Sequence, residues 1–65
     1  MQIGQRVIVD AAVTEDGIEH HGEIFDIFEY YLQLFVEVAL DDPDKRIVTV
    51  TDMKHIRMES NGKTA

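Results

Sequence analysis

The sequence predicts an all-β domain, a small five-stranded barrel with one short helical turn before its last strand. Three observations predict it. Apolar and polar residues alternate with period two at the front of the chain and again from Leu32 to Leu40. The apolar positions are rich in Val and Ile, which suit pleated structure. Turn-forming residues punctuate these runs at Gly4, Gly17, Gly22 and Pro43.

The first strand is read within Met1–Val13. Ile3, Val7, Val9, Ala11 and Val13 share one parity, and Gln2, Gly4, Arg6 and Asp10 take the other. Ile8 and Ala12 break the pattern mildly. Thr14-Glu15-Asp16-Gly17 is a turn signal, with glycine able to take positive φ. His20-His21-Gly22 leads into the second strand. Ile24 and Ile27 lie three apart, so a β-bulge is needed to put both on the core side.

Residues 23–41 carry two patterns. Glu23, Asp26, Glu29, Gln33, Glu37 and Asp41 recur at helical spacing. Leu32, Leu34, Val36, Val38 and Leu40 alternate as a strand. Strands are favoured over the alternative helix for three reasons. The apolar side of such a helix is too wide for a domain this small to cover. The helix would end in Asp41-Asp42, negative charge at its negative pole. Val36 and Val38 prefer pleated structure.

Asp42-Pro43-Asp44-Lys45 reads as a turn, with proline presetting φ. Arg46–Thr51 reads as a strand. Thr51-Asp52-Met53-Lys54 reads as a helical turn capped by Thr51 or Asp52. His55–Met58 completes the set. The domain is expected to span 1–59, with a polar, flexible C-terminal tail at 60–65.

At 65 residues the chain makes one domain and buries only about 60% of its unfolded surface. It has no cysteine, which excludes disulfides and thiolate metal sites. No apolar run approaches the roughly 20 residues of a membrane span, and the N-terminus lacks a secretory pattern. A cytoplasmic protein with no membrane partner is expected. The net charge of −7 is concentrated in residues 23–44, which hold seven acids and no base. Such a chain is a poor match for nucleic-acid phosphates and a better one for a partner with a basic surface.

The segments Gly4-Gln5-Arg6-Val7-Ile8-Val9 and Gly22-Glu23-Ile24-Phe25-Asp26-Ile27 resemble the KOW-type half-barrel of ribosomal proteins and transcription elongation factors. The order of elements over residues 3–58 is similar to that of tiny SH3-like barrels. Among these are photosystem I reaction centre subunit IV, the variable chain of ferredoxin-thioredoxin reductase and small phage-encoded proteins. The resemblance implies the barrel fold. It does not carry RNA binding across, because the matching loop, Thr14-Glu15-Asp16-Gly17-Ile18-Glu19, holds acids where bases are needed. Nor does it carry proline-rich peptide binding, because there is no tryptophan and the aromatic spacing differs.

All five aromatics fall within eleven residues, Phe25, Phe28, Tyr30, Tyr31 and Phe35. If the hairpin turns around Tyr30, Phe25 opposes Phe35, and both point away from the face of Val36, Val38 and Leu40. The candidate protein-binding residues are Phe25, Phe35, Tyr30 and Tyr31, flanked by Glu23 and Glu37. Exposed aromatics of this kind act as interface anchors.

No catalytic residue, metal ligand set or cofactor is predicted. The only serine is Ser60, and no motif supplies a nucleophile. Adjacent His20 and His21 point to opposite faces of a strand and cannot share a metal there. The chain is therefore expected to be a non-enzymatic protein-binding module, acting as a small subunit, adaptor or inhibitor of a larger complex. The alternative is an acidic, nucleic-acid-mimicking inhibitor of a DNA- or RNA-processing enzyme, with acids at 10, 15, 16, 19, 23, 26, 29, 37, 41, 42 and 44. A homodimer through the aromatic face is a third expectation.

Overall fold

The computed structural model describes residues 1–59. It is all-β. Five antiparallel strands run β1 Arg6–Val9, β2 His20–Tyr30, β3 Gln33–Leu40, β4 Ile47–Val50 and β5 Ile56–Met58. They form one sheet in the order β4-β3-β2-β1-β5. Residues 23–41, which also carry a helical spacing, are two strands and the turn between them. The expected tail at 60–65 lies outside the described residues.

The core comprises Val7 and Val9 of β1, Ile24 of β2, Val36, Val38 and Leu40 of β3, Val50 of β4 and Ile56 of β5. Every strand contributes, and six of these side chains are essentially inaccessible to solvent. A flat single sheet could not bury one face so fully without a second layer. A core drawn from all five strands of one sheet is compatible with a small β-barrel-like fold. It is an open sheet, because no ladder joins β4 to β5 among the described residues.

The bulge in β2 explains how the strand serves both ends of the core. Register with β3 shifts between Ile24, opposite Val38, and Asp26, opposite Glu37. Phe25 is the extra residue. Its insertion restores Ile27 to the inner face, opposite Val36 and packed against the core. Gly22 lies on that same inner face, where β2 meets β3 most closely. A Cβ built on Gly22 would lie 2.6 Å from the Ala39 carbonyl oxygen.

The first strand is shorter than its alternation implies. Gly4 takes φ +92° and turns the chain, so Ile3 is exposed rather than in the core. Residues Ala11–Val13 form a 3-10 turn, not strand, capped by the Asp10 carboxylate accepting from the Ala12 amide. The turns after Thr14 and Asp42 fall where expected. Gly17 takes φ +67° after Thr14, and the Lys45 amide donates to the Asp42 carbonyl across Pro43 at 3.0 Å. Asp52, not Thr51, caps the helical turn Met53–His55, accepting from the Lys54 amide at 3.1 Å. β4 and β5 each begin one residue later than Arg46 and His55.

Ion pairs stitch the rim. Arg6 on β1 binds Asp41 after β3 and Glu59 after β5. Arg46 holds Asp42 at 2.6 Å and reaches Asp16 in the first loop at 3.1 Å. Arg57 binds Glu19. Each histidine meets a different carboxylate: His20–Asp16 at 2.8 Å, His21–Glu59 at 2.6 Å and His55–Asp10 at 3.2 Å.

Candidate functional site

The β2–β3 hairpin outruns its neighbours. β1 pairs with β2 only as far as Glu23, and β4 pairs with β3 only back to Val36. Beyond Ile27 and Val36 the hairpin is a two-stranded ribbon with no further strand on either side. The distal strands and their turn hold Phe28, Tyr30, Tyr31, Leu32, Leu34 and Phe35, all but Phe35 counted as exposed.

The register corrects the expected aromatic pair. Phe28, not Phe25, opposes Phe35. Their rings stack with centroids 5.2 Å apart and planes 8° from parallel. Phe25 is exposed on the bulge and has no cross-strand partner. The turn is also displaced. Tyr30 pairs with Gln33, so the turn residues are Tyr31 and Leu32 rather than residues around Tyr30. The two tyrosine rings lie 4.4 Å apart, tilted by 52°.

Alternation orders the outer face into a ladder of cross-strand pairs. From the body to the tip they are Glu23 with Ala39, Asp26 with Glu37, Phe28 with Phe35, and Tyr30 with Gln33. Glu23 and Glu37 thus share the face of the phenylalanine stack. Asp26 sits directly across from Glu37, and like charges in that relation destabilise a sheet. Local hydrogen bonds partly serve both groups. Asp26 Oδ1 accepts from the Ile27 amide at 3.0 Å, and Glu37 Oε2 accepts from the Thr49 hydroxyl at 3.4 Å. Neither meets a cation among the described residues.

Most acids elsewhere are paired within the chain. Asp10, Glu15, Asp16, Glu19, Asp41, Asp42, Asp52 and Glu59 all lie against a basic group. The His20 and Arg46 contacts hold the Asp16 carboxyl well below the usual range. Arg6 does the same for Asp41. Among the described residues the acids without an ion pair are Glu23, Asp26, Glu29, Glu37 and Asp44. Four of these five lie on the hairpin.

Other parts of the surface offer less. A concavity of about 230 Å³ lies beside β4, lined by Val13, Leu40, Ile47 and Val48 with Glu15 and Arg46 at its rim. It is smaller than the roughly 300–1,000 Å³ of ordinary ligand pockets. His20, His21 and His55 each sit against a separate carboxylate, and no group of three metal-ligating side chains occurs among the described residues. No helix among them is long and apolar enough to cross a membrane.

Sequence reasoning missed Phe28, Leu32 and Leu34 as members of this surface. Phe28 follows from the turn position, since centring the turn on Tyr31-Leu32 moves the partner of Phe35 three residues along β2. Leu32 carried no signal, because a turn built on Tyr-Leu lacks the Asn or Gly by which such turns are found. No protein-family model, curated protein or solved structure matches this chain.

Proposed function

We propose that this chain is a non-enzymatic protein-binding module that docks through its β2–β3 hairpin. Its partner is a protein presenting an apolar spot edged by Lys or Arg. The observation that carries the reading is the outer-face ladder, in which the Phe28–Phe35 stack lies directly beside two facing, unneutralised carboxylates, Asp26 and Glu37. A guanidinium placed between those carboxylates would relieve their repulsion and cover the neighbouring ring face. Aromatic area next to a charge deficit is the chemistry of an interface anchor. The SH3-like barrel is the fold we assign to the body that carries this hairpin.

The acidic-mimic alternative draws less support. It needs many acids displayed to solvent, whereas those at 10, 15, 16, 19, 41 and 42 are engaged by basic groups of the same chain.

The test is affinity capture from the source cell with wild-type protein and the F28S/F35S variant, at low and high salt. One protein held by wild type at both salts and lost by the variant is the expected result. Capture that is indifferent to the variant would overturn the reading. Capture of a nucleic-acid-processing enzyme that salt or added nucleic acid displaces would favour the mimic.

A further inference from the structure

The tip of the hairpin is built against its own stability. Tyr31 has φ 53° and Leu32 has φ 63°, both in the left-handed region. A two-residue hairpin turn with both central φ values positive is the kind that favours Asn-Gly, because larger side chains crowd the backbone there. This chain uses two of the bulkier residues instead. Tyr31 is 86% exposed and Leu32 is 95% exposed. Tyr31 leans on Tyr30, but Leu32 rests on almost nothing. Packing within the chain does not return what the turn costs.

A strained, solvent-exposed apolar pair at the end of a ribbon points outward for a purpose. The ribbon is held as if to present it. The Phe28–Phe35 stack braces one side, and the Gln33 side-chain amide donates to the Thr51 carbonyl at 3.2 Å, tying the base of the tip to the body.

Resting on the hairpin reading above, we propose that Tyr31 and Leu32 form a plug that inserts into a concave apolar pocket of the partner protein. The Asp26–Glu37 face lies against its basic rim. Charge selects a protein over the other occupants. Residues 23–44 hold no basic side chain, and Glu29 lies just below the tip, so an anionic lipid surface is repelled. A second copy would bring the same unneutralised acids together.

The experiment uses the full chain with two variants. Y31N/L32G supplies the residues the turn prefers, and F28S/F35S removes the brace. In a third chain p-benzoylphenylalanine replaces Leu32 for photocrosslinking in the source cell. We expect crosslinking to one protein, at a site with Lys or Arg nearby. That protein, purified, is the probe for calorimetric titration. Y31N/L32G should raise the melting temperature by roughly 5 °C while weakening binding by roughly 30-fold or more. The rise in stability separates a lost contact from a lost fold.

Undiminished binding by Y31N/L32G with loss by F28S/F35S would overturn the plug and leave the hairpin reading standing. Undiminished binding by both variants would overturn both. Crosslinking to lipid, to a second copy by sedimentation and mass, or to nothing would overturn the plug. So would binding of the wild-type chain to phosphatidylcholine vesicles that Y31N/L32G abolishes.

Discussion

Replacing Gly22 by alanine should destabilise the fold more than any other single added methyl group on β2. Gly22 is buried between its partners Val7 on β1 and Leu40 on β3. The new Cβ would stand 2.6 Å from the Ala39 carbonyl oxygen and 2.7 Å from Val38 Cγ1. Ordinary contact begins at 3.4 Å, so β3 has to retreat by roughly 0.8 Å. Its freedom to do so is small. Ala39 is registered with Glu23 on one side and Ile47 on the other, and Val38 is fully buried. Overpacking of this kind costs about 1–3 kcal/mol. Removing a glycine from the unfolded chain returns about 0.4–1 kcal/mol. A net loss of about 1.3 kcal/mol follows from the centres of these two ranges. A domain of this size has roughly 3–10 kcal/mol in total, so the variant should still fold. Its melting temperature should fall by about 5–10 °C. Thermal unfolding followed by circular dichroism reads the shift, and urea unfolding with an unchanged slope assigns it to stability. A variant that melts at or above the wild-type temperature would show that β2 and β3 do not approach as described.

Two further outcomes test the core and the rim. Ile24→Ala should cost about 2–5 kcal/mol and leave much of the chain unfolded, whereas Ile24→Val should cost about 0.5–1.5 kcal/mol, a graded series visible in amide spectra and urea midpoints. Asp16, Asp41 and Glu59 are held below their usual range, chiefly by hydrogen bonds to His20, to Arg6 and to His21 respectively. Since the unfolded chain then binds more protons, their contribution is present above about pH 4 and should be lost as pH falls through the folded values. A urea midpoint that stays flat on acidification would contradict those pairings, and D16N should flatten part of the slope.

Much of the fold was legible because one face of each strand is buried. The parity of Val7 and Val9, and of Val36, Val38 and Leu40, is a direct imprint of the core. Ile24 and Ile27 announced the bulge, because two inner residues three apart need one extra residue between them. Parity misled where burial stopped. Ile3 continues the pattern of Val7 and Val9, yet the left-handed Gly4 takes it out of the sheet. The site was legible in composition but not in register. Counting outward from Tyr30 placed the turn too early, and centring it on Tyr31-Leu32 by itself moves the partner of Phe35 from Phe25 to Phe28. Beyond Val36 no core fixes the register, so only the pairing itself could reveal it.

Under the proposed function, the distal hairpin has to solve a problem that a docking role would create. Past Ile27 and Val36 it has two free edges, and an isolated two-stranded ribbon is marginal in water. Free edges also invite a second chain to pair. The stack of Phe28 on Phe35 is worth about 0.5–1.5 kcal/mol beyond its buried area, which helps hold the ribbon together. The unneutralised acids address the edges. Two copies aligned along their β2 edges would bring Asp26 and Glu29 of one near those of the other, so pairing along that edge meets repulsion. The same repulsion already acts within one copy, between Asp26 and Glu37, and a basic partner is what removes it. One set of charges therefore discourages the chain's own copies and favours a cationic surface. On the proposed function, that distinction favours a different protein over a second copy as the occupant of this hairpin.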